Sequence, residues 1–372
     1  MPGREVFGEE ELQEVSEVIK RGVLFRYGFD AQRQGIFKVK EFEGEFAQYI
    51  GAKYSLGVSS GTSALQTALL SLGLPKGSIV LTPCFTFVAT IEAIEWSGYK
   101  PILCEIDESL NISTEDINKK IISKTACILP VHMMGSSCDM DNIVDISRRN
   151  NLFLVEDACQ ATGAEYKGKK AGTFGNFGTF SFDYVKVLTT GEGGMITTDD
   201  ENLYKEADAC HDHGHPHLEN VPRGVETRKR KGFDFRMNEV QGALGIAQLK
   251  KIDYIIKKQR ENKKAVRDIL KNYEFITFRK HFDEEGEIGT FLTFFLPDKQ
   301  KAEKFKEKMS ENGITPGILN YWHFIANIES VQTREKFKKS REILEKTVVM
   351  EILIKMDVEK TIDGMKKVCD NF

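Results

Sequence analysis

Apolar runs of three to five residues recur at 54–58, 79–82, 102–104, 126–130, 152–155, 178–182 and 194–198. Between them lie longer stretches whose apolar residues return every three or four positions, as in Leu65, Leu69 and Leu72. Short continuous apolar runs are buried strands, and the 3.6-residue period is helical. Strands alternating with helices predict an α/β fold: a mainly parallel seven-stranded sheet with helices on both faces. Before it, residues 9–19 predict a helix with acids in its first turn and Leu12, Val15 and Ile19 on one face. After it, residues 239–264 predict one long linker helix. Leu244, Leu249 and Ile252 fall on one side, with Lys250, Lys251, Lys257 and Lys258 around the other as a solvated face. Residues 291–295 predict a strand, and Ala302, Phe305 and Met309 a helix stopped by Gly313. The organisation expected is a segment at 1–30, a large α/β domain at 31–245 and a smaller α+β domain at 246–372.

Composition narrows the class. A net charge of −4 with 29% charged residues offers no footprint for nucleic acid. Seven cysteines without paired spacing predict reduced thiols, hence the cytoplasm. No apolar run approaches the roughly 20 residues of a membrane span, and the first residues lack a signal-peptide core.

The chemistry concentrates between 155 and 194. Asp157 stands at the carboxyl end of the strand 152–155, where open α/β sheets bind ligands. The strand 178–182 delivers Lys186 to the same edge, in a loop closed by Gly191-Glu192-Gly193-Gly194. A surface lysine and a helix-capping aspartate are the plain alternatives. Together, though, a carboxylate and a lysine there suit pyridoxal phosphate, the lysine forming the Schiff base and Asp157 pairing with the pyridine nitrogen. Ser59-Ser60-Gly61-Thr62 opens a helix after the first strand. Its exposed N–H groups suit the cofactor phosphate, with ordinary capping by Ser60 or Thr62 as the alternative.

These stretches resemble the DegT/StrS family of sugar aminotransferases. The resemblance rests on Asp157-Ala158-Cys159-Gln160, Ser181-Phe182 with Lys186, and Thr190-Gly191-Glu192-Gly193-Gly194. It extends to Ser59-Ser60-Gly61-Thr62-Ser63-Ala64-Leu65, Thr86-Phe87-Val88-Ala89-Thr90, Pro130-Val131-His132 and Arg236-Met237. It implies the fold-type I aminotransferase architecture and a homodimer with active sites at the interface. It also implies Phe87 stacked on the cofactor ring, Gln160 at its phenolic oxygen and Ser181 at its phosphate. The amino donor implied is L-glutamate. A finer similarity, to enzymes making 8-amino-3,8-dideoxy-octulosonate for cell-surface polysaccharides such as lipopolysaccharide, rests on Leu24-Phe25-Arg26-Tyr27-Gly28, the 211–217 loop and Tyr321-Trp322-His323. It implies 8-oxo-3-deoxy-octulosonate as acceptor, with a nucleotide-linked keto-hexose as the alternative. A dehydratase or a non-catalytic sensor on the same scaffold is the second class. Dehydratases of the family replace the lysine with histidine, and Lys186 argues against one.

One position departs from the family. Relatives read Gly-Tyr-Asn-Tyr-Arg where this chain has Gly232-Phe233-Asp234-Phe235-Arg236. The usual asparagine donates to the partner subunit's cofactor phosphate, and an ionised aspartate cannot donate. Asp234 is therefore expected to turn away, pair with an arginine, or be compensated. Residues 211–217 hold four of the seven histidines, but alternation broken by Gly214 and Pro216 does not specify a zinc geometry, and no metal is expected. Tyr27, His132, His213, His215, Arg228 and Arg230 are the candidate substrate contacts.

Overall fold

The computed structural model describes residues 2–218, 221, 224–228, 230–317, 319 and 337–372. Tyr321, Trp322 and His323 lie outside the described residues. The first part of the chain runs α1 (Glu9–Arg21), α2 (Asp30–Arg33), α3 (Lys38–Ile50), β1 (Tyr54–Val58), α4 (Gly61–Ser71), β2 (Ile79–Pro83), α5 (Val88–Trp96) and β3 (Lys100–Cys104). It continues through α6 (Thr114–Lys120), β4 (Thr125–Ile128), α7 (Met140–Arg149), β5 (Phe153–Asp157), the short pair β6 (Glu165–Tyr166) and β7 (Lys169–Lys170), β8 (Phe177–Ser181) and β9 (Gly194–Thr198). Then come α8 (Glu201–His211), α9 (Glu239–Leu249), α10 (Ile252–Leu270), β10 (Thr277–Phe278), β11 (Phe291–Phe295), α11 (Lys299–Glu311), α12 (Lys338–Glu345), β12 (Thr347–Glu351) and α13 (Val358–Asp370).

The seven predicted runs form one seven-stranded sheet in the order β1-β9-β8-β5-β4-β2-β3. Its pairs are parallel except those made by β9, which is antiparallel to both β1 and β8. Successive residues point to opposite faces, so each strand feeds two cores. Val80, Val155 and Ile196 join Leu65, Leu69 and Ile91 of α4 and α5 on one side. Leu81 and Leu154 meet Ile143 and Ile146 of α7 on the other, and Met195 meets Phe42 and Phe46 of α3. Burying both faces is why the strands read as unbroken apolar runs.

Downstream, β10, β11 and β12 form a three-stranded antiparallel sheet. Phe294 packs there with Leu270, Phe305, Met309 and Met365. Gly313 follows α11 at a φ of 74°, the left-handed value that ends helices at glycine.

Two expectations change. The linker helix is broken at Lys250 and Lys251 into α9 and α10. Lys251 N–H bonds the Gln248 carbonyl in a tighter turn, while its ammonium lies 2.8 Å from Glu11 and 3.0 Å from Glu10. A tertiary ion cluster overrides the local helical preference there, so Lys251 is not part of a solvated face. In α1 the helix is as expected but its buried side is not. Leu12 and Ile19 are 60% and 57% exposed, whereas Glu11 and Val18 are buried. Glu11 is drawn inward by Lys251 and by Gln248 Nε2 at 2.7 Å.

Candidate active site

Asp157 ends β5 and is buried. Its Oδ2 accepts from Thr90 Oγ1 at 2.9 Å and its Oδ1 from the Cys159 N–H at 3.1 Å. Thr90 in turn pairs with Thr86 at 2.8 Å, so the first turn of α5 fixes the carboxylate rotamer. Between these threonines Phe87 is 47% exposed at the N-cap of α5. An aromatic ring held open at a sheet edge offers a stacking face rather than core.

Lys186 is half-buried in the loop between β8 and β9. The loop is closed by Phe182 N–H to Gly193 O and Thr190 N–H to Phe182 O, both 2.9 Å, with Lys186 N–H on Asp183 O at 3.0 Å. Burial, then the Asp157 charge, pushes the Cys159 thiol well up, while the Lys186 ammonium pulls it down. Asp157, Cys159 and Lys186 therefore share one electrostatic neighbourhood.

Beside them lies a cradle of small residues. A methyl group on Gly61 would sit 2.8 Å from Ser181 Cβ and 3.0 Å from Cys159 Sγ. One on Gly194 would sit 2.3 Å from the Ser60 carbonyl oxygen. Ser60 caps α4: its Oγ accepts from Ser63 N–H at 3.0 Å, and Ser63 Oγ accepts from Ser60 N–H at 2.9 Å. Capping is thus done by Ser60, and the first-turn N–H groups of Gly61 and Thr62 have no intrahelical acceptor. They form the positive end of the α4 dipole, with the Ser181 hydroxyl alongside, a donor set for an anion. Gln160 Oε1 accepts from Met134 N–H at 3.1 Å, which fixes the amide and leaves its NH₂ as a donor. Anion cradle, buried carboxylate, open aromatic, amide donor and amine together fit pyridoxal phosphate.

The candidate substrate contacts are mostly committed elsewhere. His132 does not open on the edge; its imidazole is fully buried, accepting Cys138 N–H at Nδ1 (3.1 Å) and donating Nε2–H to Glu156 (3.0 Å). Only its backbone reaches the site, its N–H bonding Asp157 O at 2.9 Å. Arg230 binds Glu206 at 2.8 Å and the Leu70 carbonyl at 3.2 Å. Leu70 is nine residues along α4 from Gly61, roughly 14 Å from the cradle. His215 pairs with Glu226 at 2.7 Å, while His213 and Arg228 are exposed.

His217 bridges Asp208 at 2.6 Å and Asp212 at 2.8 Å. Burial opposes its charge, but the two carboxylates outweigh that and raise it to about 9. Its ring stacks on Tyr27 at 4.5 Å, and the Tyr27 hydroxyl lies 3.0 Å from His211 Nε2. Burial, then the Arg26 charge, pushes His211 down to about 3. Asp212 also binds Arg236 at 2.5 Å, and Arg236 binds Asp234 at 2.6 Å. Asp234 therefore pairs with the arginine two residues after it. Among the described residues no group of three or more ligating side chains could hold a metal. Sequence reasoning assigned no role to Thr90, Cys159 or Met134; Thr90, three residues after Phe87, and Cys159, two after Asp157, carried a readable signal, and Met134 did not.

Known proteins are similar to this chain in sequence and in fold. GDP-perosamine synthase of Escherichia coli O157:H7 is 40% identical over 272 residues, 72% of this chain and 71% of that protein. GDP-4-keto-6-deoxy-D-mannose 3-dehydratase of Yersinia pseudotuberculosis is 31% identical, covering 78% and 79%. The solved aminotransferase of Psychrobacter cryohalolentis superposes with a TM-score of 0.88 at 26% identity over 98% of both chains. The pattern of the DegT/DnrJ/EryC1/StrS aminotransferase family matches residues 6–370, and the chain belongs to that family of pyridoxal-phosphate-dependent sugar aminotransferases.

Proposed function

We propose that the chain transfers an amino group from an amino acid, L-glutamate being the donor the resemblance implies, to a nucleotide-linked keto sugar, using Lys186 and Asp157. The observation that carries this reading is the convergence of Asp157, Cys159, Lys186, Gly61 and Ser181 at one sheet edge. Bound there, pyridoxal phosphate supplies an electron-withdrawing ring and a carbon that carries the amino group between substrates.

The chain's residues supply the rest. Gly61 and Thr62 N–H groups and the Ser181 hydroxyl hold the phosphate. Asp157, immobilised by Thr90 and Cys159, keeps a proton on the pyridine nitrogen. Phe87 covers one ring face, and the Gln160 amide donates to the phenolic oxygen. With the cofactor bound, the Lys186 amine would be the group that carries the proton to and from the donor α-carbon and, in the second half-reaction, the sugar carbon.

The reading of the sugar rests on the relatives rather than on the side chains. An octulosonate carboxylate calls for cations; of the four candidates Arg230 and His215 are paired within the chain, while His213 and Arg228 are exposed, so the side chains alone do not choose between the two sugars. Two of the stretches behind the octulosonate similarity, around Tyr27 and His217, have an internal structural explanation in their contacts with each other and with Asp208 and Asp212. Relatives named for GDP-linked sugars favour a nucleotide-linked acceptor. Phe7, Leu12, Ile19 and Leu24, near the start of the chain, are large apolar side chains left exposed, which favours a homodimer. All seven cysteines are free thiols, in keeping with a cytoplasmic site of action. No helix of the described residues is long and apolar enough to cross a membrane.

Single-turnover reaction of the aminated enzyme with a panel of keto sugars tests the reading. Consumption of a GDP- or dTDP-linked keto-hexose is expected. Reaction with an 8-oxo-octulosonate alone would overturn the nucleotide-linked assignment.

A further inference from the structure

We infer that residues 3–5 form a strap that positions the Lys186 loop, with Gly3 as its positioning residue; this rests on the role given to Lys186 above. Gly3 N–H donates to the Lys186 carbonyl at 3.2 Å. Gly3 is buried, and a methyl group in its place would lie 2.8 Å from the carbonyl oxygens of both Lys186 and Val187. It would also lie 3.0 Å from Thr189 Cγ2. Two of these obstacles are backbone atoms of the loop itself, which cannot swing aside as a side-chain tip can. Only glycine lets this strand of chain rest on the lysine backbone.

Two neighbours anchor the strap on either side. Arg4 Nη1 donates to the Tyr184 hydroxyl at 3.4 Å and its guanidinium lies 5.4 Å from the Tyr184 ring centroid, gripping the loop two residues before Lys186. The Glu5 carboxylate accepts from Ile354 N–H at 3.2 Å and Lys355 N–H at 2.8 Å, in the connection between β12 and α13. The strap thus ties the lysine loop to the smaller antiparallel sheet region. The loop's own hydrogen bonds close its base at Phe182, Gly193 and Thr190, but the Lys186 carbonyl is fixed from outside, by Gly3. A lysine that must reach the same carbon in two half-reactions needs its backbone held. Misplacement by about 1 Å far from the reacting atoms costs up to about 100-fold in rate.

The chemistry requires no new group: the strap binds no substrate and moves no proton. Its effect is on where the Lys186 amine stands.

The test compares wild type, Gly3→Ala and Glu5→Gln as full-length holoenzymes. Gly3→Ala should lower kcat by about tenfold or more, with the donor KM within about twofold. It should also shift the pH titration of the lysine-linked visible absorbance band, which a purely stabilising residue would not move. Glu5→Gln, which keeps one acceptor, should show a smaller change in the same direction and guards against a misfolded Gly3→Ala. If borohydride labels Lys186 in wild type while both variants keep the wild-type kcat and titration, the strap is not a positioning device. A wild-type label on another lysine would instead overturn the role of Lys186 itself. Loss of melting temperature in both variants with unchanged kcat would likewise reject positioning.

Discussion

Two regions of this protein are crowded with ionisable side chains, and they behave in opposite ways. Around Asp208, His211, Asp212, His217 and Arg236 every named group meets another protein group: an imidazole between two carboxylates, and a guanidinium between one of those, Asp212, and Asp234. At the edge holding Asp157, Gly61, Ser181 and Lys186 the partners are backbone N–H groups, hydroxyls and small residues packed close together. A satisfied network specifies a conformation, whereas backbone donors left without an intrahelical acceptor at a helix start specify a ligand. Density of charged residues alone does not mark an active site; what matters is what remains unpaired once the chain has folded.

The sharpest way to break that contrast is Lys186→Ala. Loss of both half-reactions by at least about 1,000-fold is expected, measured as product per single turnover, because attachment and proton transfer fail together. Asp157→Asn comes next, with turnover down by about 100-fold or more and an unchanged melting temperature, since the amide cannot hold the pyridine proton. Near-normal turnover would mean that Asp157 does not face the ring.

The histidine network should answer in stability instead. His217→Ala leaves Asp208 and Asp212 without their shared cation and should cost about 3 kcal/mol or more by denaturant unfolding, while the cofactor absorbance persists. The sign with pH follows from the raised value. In the folded protein His217 titrates near 9 and in the unfolded chain near 6.5, so its contribution is complete below 6.5 and fades as pH rises through 9. The gap between wild type and variant should narrow over that window. His211 is depressed to about 3, so its contribution is present above 6.5 and fades as pH falls towards 3.

The smallest effect expected is that of Asp234→Asn. Asp234 is engaged with Arg236 rather than with a phosphate, so cofactor affinity by absorbance titration should stay within about twofold or improve. A large loss would assign the aspartate to the phosphate site.

Much of this was legible beforehand because it is local. Strands buried on both faces leave continuous apolar runs, so 54–58 and 194–198 matched β1 and β9, and 291–295 matched β11, to the residue. Asp157 and Gly61 stand at strand ends followed by turns, where the sheet topology itself directs ligands. The break at Lys251 was hidden because its cause, Glu10 and Glu11, lies some 240 residues away in sequence. His132 misled for a related reason: its position at the strand end is right, but side-chain direction depends on Glu156 and Cys138, which no spacing reveals. Pairings such as Arg230 with Glu206, or His217 with Asp208, are likewise choices made only in three dimensions.

The central claim is that the amine serving this site is Lys186 and no other. Borohydride reduction of the holoenzyme followed by proteolysis and peptide mapping measures that directly. The account predicts a reduced pyridoxyl label on the peptide containing Lys186 alone; a label on a different lysine, with Lys186 unmodified, would contradict it.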